Sequence, residues 1–116
     1  MEVIETKLEE AEVGSVLLAR HENPLGIGET KTLDVTTKYV DALVIDIQAS
    51  NACTLEVLRM PAWGVEGESS GVVSVPAGSP KCYTWSQPQC LGMRVKITNT
   101  SGAPMTSFFL YVRGAA

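Results

Sequence analysis

A few residues of this chain have side chains that could take part in catalysis. The single histidine, His21, lies in a segment rich in turn-forming residues, where a lone imidazole is more often a solvated side chain than a general base. Asp41 and Asp46 would be the candidates for paired acid and base roles. An odd number of positions separates them on one predicted strand, so their side chains are expected on opposite faces of a sheet. We therefore expect no catalytic site and no enzymatic activity.

The three cysteines, Cys53, Cys82 and Cys90, are the candidate thiols and metal ligands. No two of them have the spacing of a Cys-x-x-Cys motif, and the chain has neither a phosphate-binding loop nor a Gly-x-Ser-x-Gly elbow. Cys82 and Cys90 could meet across a hairpin, but an odd number of cysteines without a signal peptide favours three free thiols. We expect no bound metal and no cofactor.

Charge and hydropathy argue against two classes of partner. The 116 residues carry 13 acidic and 9 basic side chains, for a net charge of −4, and five glutamates between Glu2 and Glu12 account for much of the excess. A nucleic-acid-binding domain would show a basic face, and a membrane span would need an apolar run of about 18 residues. The sequence shows neither, nor a signal peptide. We therefore expect no nucleic-acid or membrane partner, and a chain that is made in the cytoplasm or whose leader has been lost.

Alternating apolar and polar residues dominate the chain, as in strands with one buried face. Between Leu91 and Asn99, the side chains of Leu91, Met93, Val95 and Ile97 are predicted to share the buried face. Similar segments elsewhere bring the total to about eight strands, which predicts an all-β fold, an antiparallel β-sandwich of the jelly-roll kind. The other strands are predicted at residues 15–20, 30–36, 39–48, 53–60, 71–75, 82–85 and 106–113.

The longest apolar segment, residues 39–48, is predicted to be a central strand, whereas the short segment 82–85 is predicted at an edge. The segment 106–113 is apolar on both faces, because Phe109 and Tyr111 alternate with other large apolar side chains. Such a strand is central in its sheet, or its second face meets another protein.

Two tryptophans, Trp63 and Trp85, fall in loop-like or edge segments. Trp63 belongs to residues 61–71, which are predicted to form a long surface loop and a candidate contact element. Exposed indole rings could stack on sugars, as in many carbohydrate-binding modules. We favour the alternative that they cap the ends of the core or lie in a subunit interface. Residues 99–104 are mostly turn formers and predict a hairpin connection between the last two strands.

Residues 1–13 differ in pattern from the predicted sandwich domain of residues 14–116. Ile4 and Leu8 have helical spacing, with glutamates and a lysine between them. The pattern fits one short helix, and it fits equally an extended N-terminal arm that becomes ordered on a neighbouring molecule. In either form, Ile4 and Leu8 are the candidate contacts of this arm with a partner.

Several passages of the chain resemble small virion proteins of tailed bacteriophages. They cover less than half of the chain and contain no functional motif, so no functional residue can be transferred from the resemblance. The passages are Val-Pro-Ala-Gly-Ser (75–79), Met-Arg-Val-Lys-Ile-Thr-Asn-Thr-Ser-Gly (93–102), Phe-Phe-Leu-Tyr-Val-Arg-Gly (108–114) and Tyr-Val-Asp-Ala-Leu-Val-Ile-Asp-Ile-Gln-Ala (39–49).

The resemblance implies a structural protein of the virion, and first of all a capsid decoration protein that binds the major capsid protein and cements the shell. The alternative is a carbohydrate-binding or host-receptor-binding module in a head fibre or a tail accessory protein. Such virion proteins commonly form homo-oligomers, often trimers, and use a terminal arm to reach a neighbouring subunit. The candidate contact residues are Ile4, Leu8, Trp63, Trp85, Phe109 and Tyr111.

Overall fold

The structure is a computed structural model that describes residues 15–37, 40–86 and 91–115. These residues contain eight antiparallel strands in two four-stranded sheets, and none of them forms a helix long and apolar enough to cross a membrane. The predicted arm, with Ile4 and Leu8, lies outside the described residues. The strands are β1 (Ser15–His21), β2 (Thr30–Thr36), β3 (Ala42–Ala49), β4 (Cys53–Met60), β5 (Ser69–Val75), β6 (Lys81–Ser86), β7 (Gly92–Asn99) and β8 (Phe108–Ala115).

The strand order is that of a jelly roll. One sheet has the order β1-β8-β3-β6, and the other has the order β2-β7-β4-β5. The first strand thus pairs with the last, the second with the seventh, the third with the sixth and the fourth with the fifth. This pairing arises when one long antiparallel hairpin is folded over into two packed sheets. The predicted fold class is therefore confirmed.

The core lies between the two sheets and follows the predicted alternation. In β3, the side chains of Leu43, Ile45 and Ile47 are fully buried, while the residues between them are half-buried on the outer face. Complete burial of such a side chain contributes about 1.5–3 kcal/mol relative to full exposure. A slip of one residue would turn the whole apolar set towards solvent, so the hydrophobic pattern selects both the face and the register.

The predicted positions of β3 and β6 within their sheets are confirmed, and β8 takes the central position, one of the two alternatives predicted for it. The strands β3 and β8 each lie between two neighbours, and β6 lies at an edge. In β8, Phe108, Leu110 and Val112 point into the core, while Phe109 and Tyr111 occupy the outer face. The second apolar face of β8 is therefore turned away from the core.

Three local predictions are wrong. Leu91 is 44% exposed, because β7 begins only at Gly92 and Leu91 precedes the ladder. Residues 99–104 form no hairpin, because β7 and β8 belong to different sheets and the chain crosses between them. The loop predicted at 61–71 is shorter, because β5 already begins at Ser69. Turn-forming residues mark where a strand ends, but they do not determine which strand it pairs with.

The crossing between β7 and β8 is organised by Asn99, whose side chain is buried. Its Nδ2 donates hydrogen bonds to the carbonyl oxygens of Ala103 at 2.8 Å, Gly26 at 3.0 Å and Leu25 at 3.3 Å. Its Oδ1 accepts hydrogen bonds from the backbone N–H and the hydroxyl of Ser101 at 3.0 and 2.7 Å. One side chain thus connects the β1–β2 loop to the β7–β8 crossing and closes this end of the sandwich.

Candidate functional site

The three side chains first considered for chemistry have different surroundings. His21 packs its ring 5.9 Å from that of Phe108, Asp46 pairs with Arg113, and Asp41 lies in an exposed bend before β3. Among the described residues, no group of three or more His, Cys, Asp or Glu side chains is placed to hold a metal ion. The absence of enzymatic activity stays a prediction.

Two of the three cysteines, Cys53 and Cys82, lie among the described residues, and both have free thiols. Burial raises the pKa of the Cys53 thiol to about 11. Desolvation, together with a hydrogen bond to Asp46, raises the pKa of the Cys82 thiol. Both thiols are therefore protonated at neutral pH, which is their less reactive form. Cys90, the other member of the pairing considered above, lies outside the described residues.

A first candidate contact surface is the tight turn in the β4–β5 connection, residues 62–66, which we call the tryptophan tip. Trp63 is 57% exposed and Val65 is 50% exposed. The backbone N–H of Val65 donates to the carbonyl of Ala62 at 2.9 Å. Between them, Gly64 has a φ of 82°, which glycine adopts without steric cost. The turn therefore presents two large apolar side chains to solvent.

The tryptophan tip is held against the outer face of the β2-β7-β4-β5 sheet by ion pairs. Glu66 accepts hydrogen bonds from Nζ of Lys96 at 2.9 Å and from Nη1 of Arg94 at 3.3 Å. The same Arg94 donates from Nε and Nη2 to both carboxylate oxygens of Asp34, at 2.8 and 3.0 Å. Bidentate pairs of this kind constrain geometry as well as contributing energy. Arg94 thus connects β2, β7 and the tip in one network.

A glycine beneath the tip allows it to approach the sheet. A Cβ atom built on Gly92 would lie 3.3 Å from Cζ3 of Trp63 and 2.8 Å from Cε of Met60. It would also lie 2.7 Å from the carbonyl oxygen of Val35, closer than real Cβ contacts. One edge of the indole therefore rests on β7, while more than half of the side chain faces solvent.

The ion-pair network makes the stability of the fold depend on pH. Hydrogen bonding from Arg94 lowers the pKa of Asp34 from its ordinary 3.8, and hydrogen bonding from Lys96 lowers the pKa of Glu66. A carboxyl whose pKa is lower in the folded state stabilises the fold above its unfolded pKa. That contribution is lost as the pH falls through the folded pKa.

At neutral pH we expect the wild type to have a larger free energy of unfolding than the Asp34→Asn variant. We expect this difference to begin to shrink as the pH approaches 3.8, and to be lost as the pH falls further through the lower pKa that Asp34 has in the folded state. Urea titrations between about pH 7 and about pH 3 measure it. Asp41→Asn, which changes an exposed aspartate outside the network, is the matched control. A margin for Asp34→Asn that does not vary with pH would contradict the network.

A second candidate surface, the aromatic face, consists of Phe109, Tyr111 and Arg113 on the outer side of β8, with Asp46 beside them on β3. The rings of Phe109 and Tyr111 stack with their centroids 5.2 Å apart, and the guanidinium of Arg113 lies 5.8 Å from the Tyr111 centroid. Arg113 also pairs with Asp46 at 3.2 Å. The Tyr111 hydroxyl donates to Glu22, which raises the pKa of Tyr111. The face combines stacked rings with charges of both signs.

A third feature is a cleft of about 380 Å³ at one end of the sandwich, where Arg59 at the end of β4 lies near Trp85 and Ser86 at the end of β6. Its remaining walls include the first residues of β5. Trp85 points between the sheets and packs against the core while also forming part of the cleft wall. The cleft is thus bounded by an aromatic ring on the inside and by polar side chains at the rim.

The predicted contact residues do not form one surface. Trp63 lies on the tryptophan tip, Phe109 and Tyr111 lie together on the aromatic face, and Trp85 lies in the cleft. Sequence reasoning did not find the residues that hold these surfaces in place. Glu66 and its partners Arg94 and Lys96 are distant in sequence and carry no local motif. No motif marks the pairing of Arg59 with the start of β5 either.

Comparison with known proteins identifies the fold alone. No protein-family model matches the chain, and no curated protein matches it in sequence. The exported protein XepA of phage PBSX has a TM-score of 0.72 at 19% identity, over 88% of this chain but only 37% of XepA. The Yersinia pseudotuberculosis-derived mitogen has a TM-score of 0.57 at 16% identity, over 85% of this chain and 86% of the mitogen.

Bacillus endospore appendages, described as disulfide-linked pili, have a TM-score of 0.54 at 15% identity, over 87% of this chain and 88% of that chain. This chain therefore spans little more than a third of XepA but most of the length of the other two. Identities this low show a shared architecture and carry no residue roles. The chain has a β-sandwich fold that also occurs in the PBSX exported protein XepA and in Bacillus endospore appendages.

Proposed function

We propose that the chain is a structural component of a bacteriophage virion, and specifically a capsid decoration protein that binds the major capsid protein. The observation that carries this proposal is the tryptophan tip, in which Trp63 and Val65 are exposed on a turn that ion pairs hold in place. A preformed contact element loses little conformational freedom on binding. Tryptophan is also among the residues that contribute most to protein interfaces.

The fold likeness to the phage PBSX exported protein supports the same class of function, as do the sequence passages that resemble virion proteins. The protein would be made in the host cytoplasm and would act on the assembled particle. The decoration role needs no reactive group. It needs surfaces that remain apolar in the free protein and become buried on the shell.

A second copy of the chain is the partner that suits the aromatic face. Arg113 and Asp46 give this face charges of both signs beside the stacked rings of Phe109 and Tyr111. An identical face can therefore complement it in a cyclic or isologous oligomer. A trimer is the form we favour, because the virion proteins that the chain resembles commonly form trimers.

Co-sedimentation with empty shells of the major capsid protein, from the phage whose genome carries the gene, tests the proposal. We expect Trp63→Ala to weaken shell binding by about 30-fold or more, as for an interface hot spot. Val72→Ala removes an equally exposed apolar side chain, 60% exposed, from β5 outside the tip, and is expected to bind like the wild type.

Urea unfolding of both variants confirms that they remain folded. Light scattering on the wild type, in the same buffer, is expected to give the mass of an oligomer. Wild-type protein that stays monomeric and never sediments with shells would contradict the proposal. Equal binding by the Trp63→Ala and Val72→Ala variants would exclude the tryptophan tip as the contact.

A further inference from the structure

The inner wall of the cleft carries a hydrogen-bond donor that the described part of the chain leaves unused. Trp85 is half-buried against the core, and its Nε1 lies close to Gly71, where a Cβ atom would be only 3.3 Å away. Because residue 71 is glycine, no side chain fills the space beside this N–H. Within the described ranges the indole N–H makes no hydrogen bond, so its capacity as a donor is unused.

The rim of the cleft carries two further groups whose hydrogen-bonding capacity is largely free. The backbone N–H of Arg59 donates to the carbonyl of Glu68 at 2.9 Å, which places these two residues side by side. Nε of Arg59 donates to the hydroxyl of Ser70 at 3.3 Å. The terminal nitrogens of Arg59 and the carboxylate of Glu68 have no partner among residues 15–37, 40–86 and 91–115.

This free rim differs from the sites of Arg94 and Arg113 in the two sheets. The guanidinium groups of Arg94 and Arg113 are each paired with a carboxylate, at 2.8 and 3.2 Å respectively. At the cleft, by contrast, Arg59 and Glu68 are neighbours but form no ion pair in the described structure. A donor group and an acceptor group are therefore both available to a bound molecule.

We propose that this cleft binds a neutral saccharide of one or two hexose units. Its volume of about 380 Å³ lies within the usual range of small-molecule sites, about 300–1,000 Å³. Arg59 supplies donors, Glu68 supplies acceptors, and the serine hydroxyls of the wall supply both. Sugar hydroxyls also donate and accept, so this combination of groups matches them.

The charge and the aromatic wall narrow the class of ligand further. Arg59 and Glu68 carry opposite charges, so the rim attracts neither anions nor cations strongly, and a phosphate or carboxylate would be repelled by Glu68. The ring of Trp85 offers an apolar surface for the C–H groups of a pyranose and an N–H for one of its hydroxyls. An uncharged sugar satisfies all of these groups together.

The inference goes beyond the proposed virion role and does not depend on it. The cleft residues and the tryptophan tip of residues 62–66 have no member in common. A protein that fails to bind shells would therefore contradict only the virion role. A protein that fails to bind sugars would contradict only the saccharide site.

A titration followed by ¹H–¹⁵N NMR tests the proposal. The chain has two tryptophans and hence two indole N–H signals, of which Trp85→Phe removes one and assigns both. The probes are glucose, galactose, mannose, N-acetylglucosamine and their common disaccharides, each added to about 10 mM. We expect at least one sugar to shift the Trp85 signal saturably, while the signal of Trp63 outside the cleft stays in place.

Two variants examine the contacts in turn. Trp85→Phe retains an aromatic ring but lacks the N–H donor, and it is expected to bind the same sugar roughly two- to tenfold more weakly. Glu68→Gln changes an exposed rim side chain with little risk to folding and is expected to weaken binding similarly, whereas Val72→Ala is expected to have no effect. A panel that leaves the Trp85 signal unmoved, or unchanged affinity in both cleft variants, would overturn the proposal.

Discussion

Replacing Asn99 by alanine is expected to lower the free energy of unfolding by about 3 kcal/mol. The side chain is 1% exposed and supplies hydrogen bonds to three backbone carbonyls, among them those of Ala103 and Gly26. Its oxygen also accepts from the backbone N–H of Ser101. Alanine leaves these groups without their partner in a place that water reaches poorly, so the loss exceeds that of an ordinary surface hydrogen bond. Urea unfolding followed by circular dichroism measures it.

Asn51→Ala is the matched control for Asn99→Ala. Nδ2 of Asn51 donates to the hydroxyl of Ser101 at 3.0 Å and to the carbonyls of Ala103 and Pro104 at 3.1 and 3.3 Å. Asn51 lies in the β3–β4 turn, but its substitution removes the same amide chemistry from contact with the same loop. Asn51 is only half-buried, so water can replace its hydrogen bonds, and we expect a loss of about 1 kcal/mol or less. Equal losses in the two variants would show that burial does not determine the cost.

Replacing Gly92 by alanine is expected to cost about 2–3 kcal/mol of stability, which is typical of overpacking. The added Cβ would lie 2.7 Å from the carbonyl oxygen of Val35. That oxygen belongs to β2, which is held in register along the whole of β7, so it cannot move aside as the end of the Met60 side chain can. We also expect the fluorescence emission of Trp63 to shift towards that of a fully exposed indole, because the tryptophan tip would lose its contact with β7.

Gly26→Ala serves as the control, because a Cβ atom there would lie 3.5 Å from Oε1 of Glu29, an ordinary contact distance. Its effect is expected to stay within about 0.5 kcal/mol. The two substitutions add the same methyl group, so a difference between their effects on stability measures how little space there is beneath the tryptophan tip. A Gly92→Ala variant as stable as wild type, with unchanged Trp63 emission, would mean that the sheet and the tip are not in contact.

The strands were predictable because one physical signal dominates them. In β2 and β4, alternation and a clear stop signal, such as Pro61 after β4, gave the observed boundaries. Where that signal is weak, the prediction failed: Ser69 and Ser70 have little preference for strands and join β5 only because β4 offers a pairing edge. Leu91 fits the alternation but lies one residue outside the ladder, where burial no longer follows from the pattern.

The candidate sites were much less predictable, because each is assembled from distant parts of the chain. Trp63 and Trp85 were found as single residues, but nothing in their neighbourhoods shows that one lies on an outer turn and the other inside the cleft. The sequence around Arg94 predicts only a polar residue on an exposed strand face. Its role in holding the tip depends on Asp34 and Glu66, which only the two-sheet topology brings to it.

One pairing within the first sheet affects how such a domain can be combined with others. Ser15 of β1 lies opposite Ala115 of β8 in an antiparallel ladder, so their Cα atoms are only about 5 Å apart. A polypeptide can therefore run into and out of the sandwich at one spot, and the whole unit could be spliced into a surface loop of a larger host without stretching either connection. By the same geometry, joining these two points with a short linker and cutting the backbone elsewhere should yield a circularly permuted molecule of the same shape.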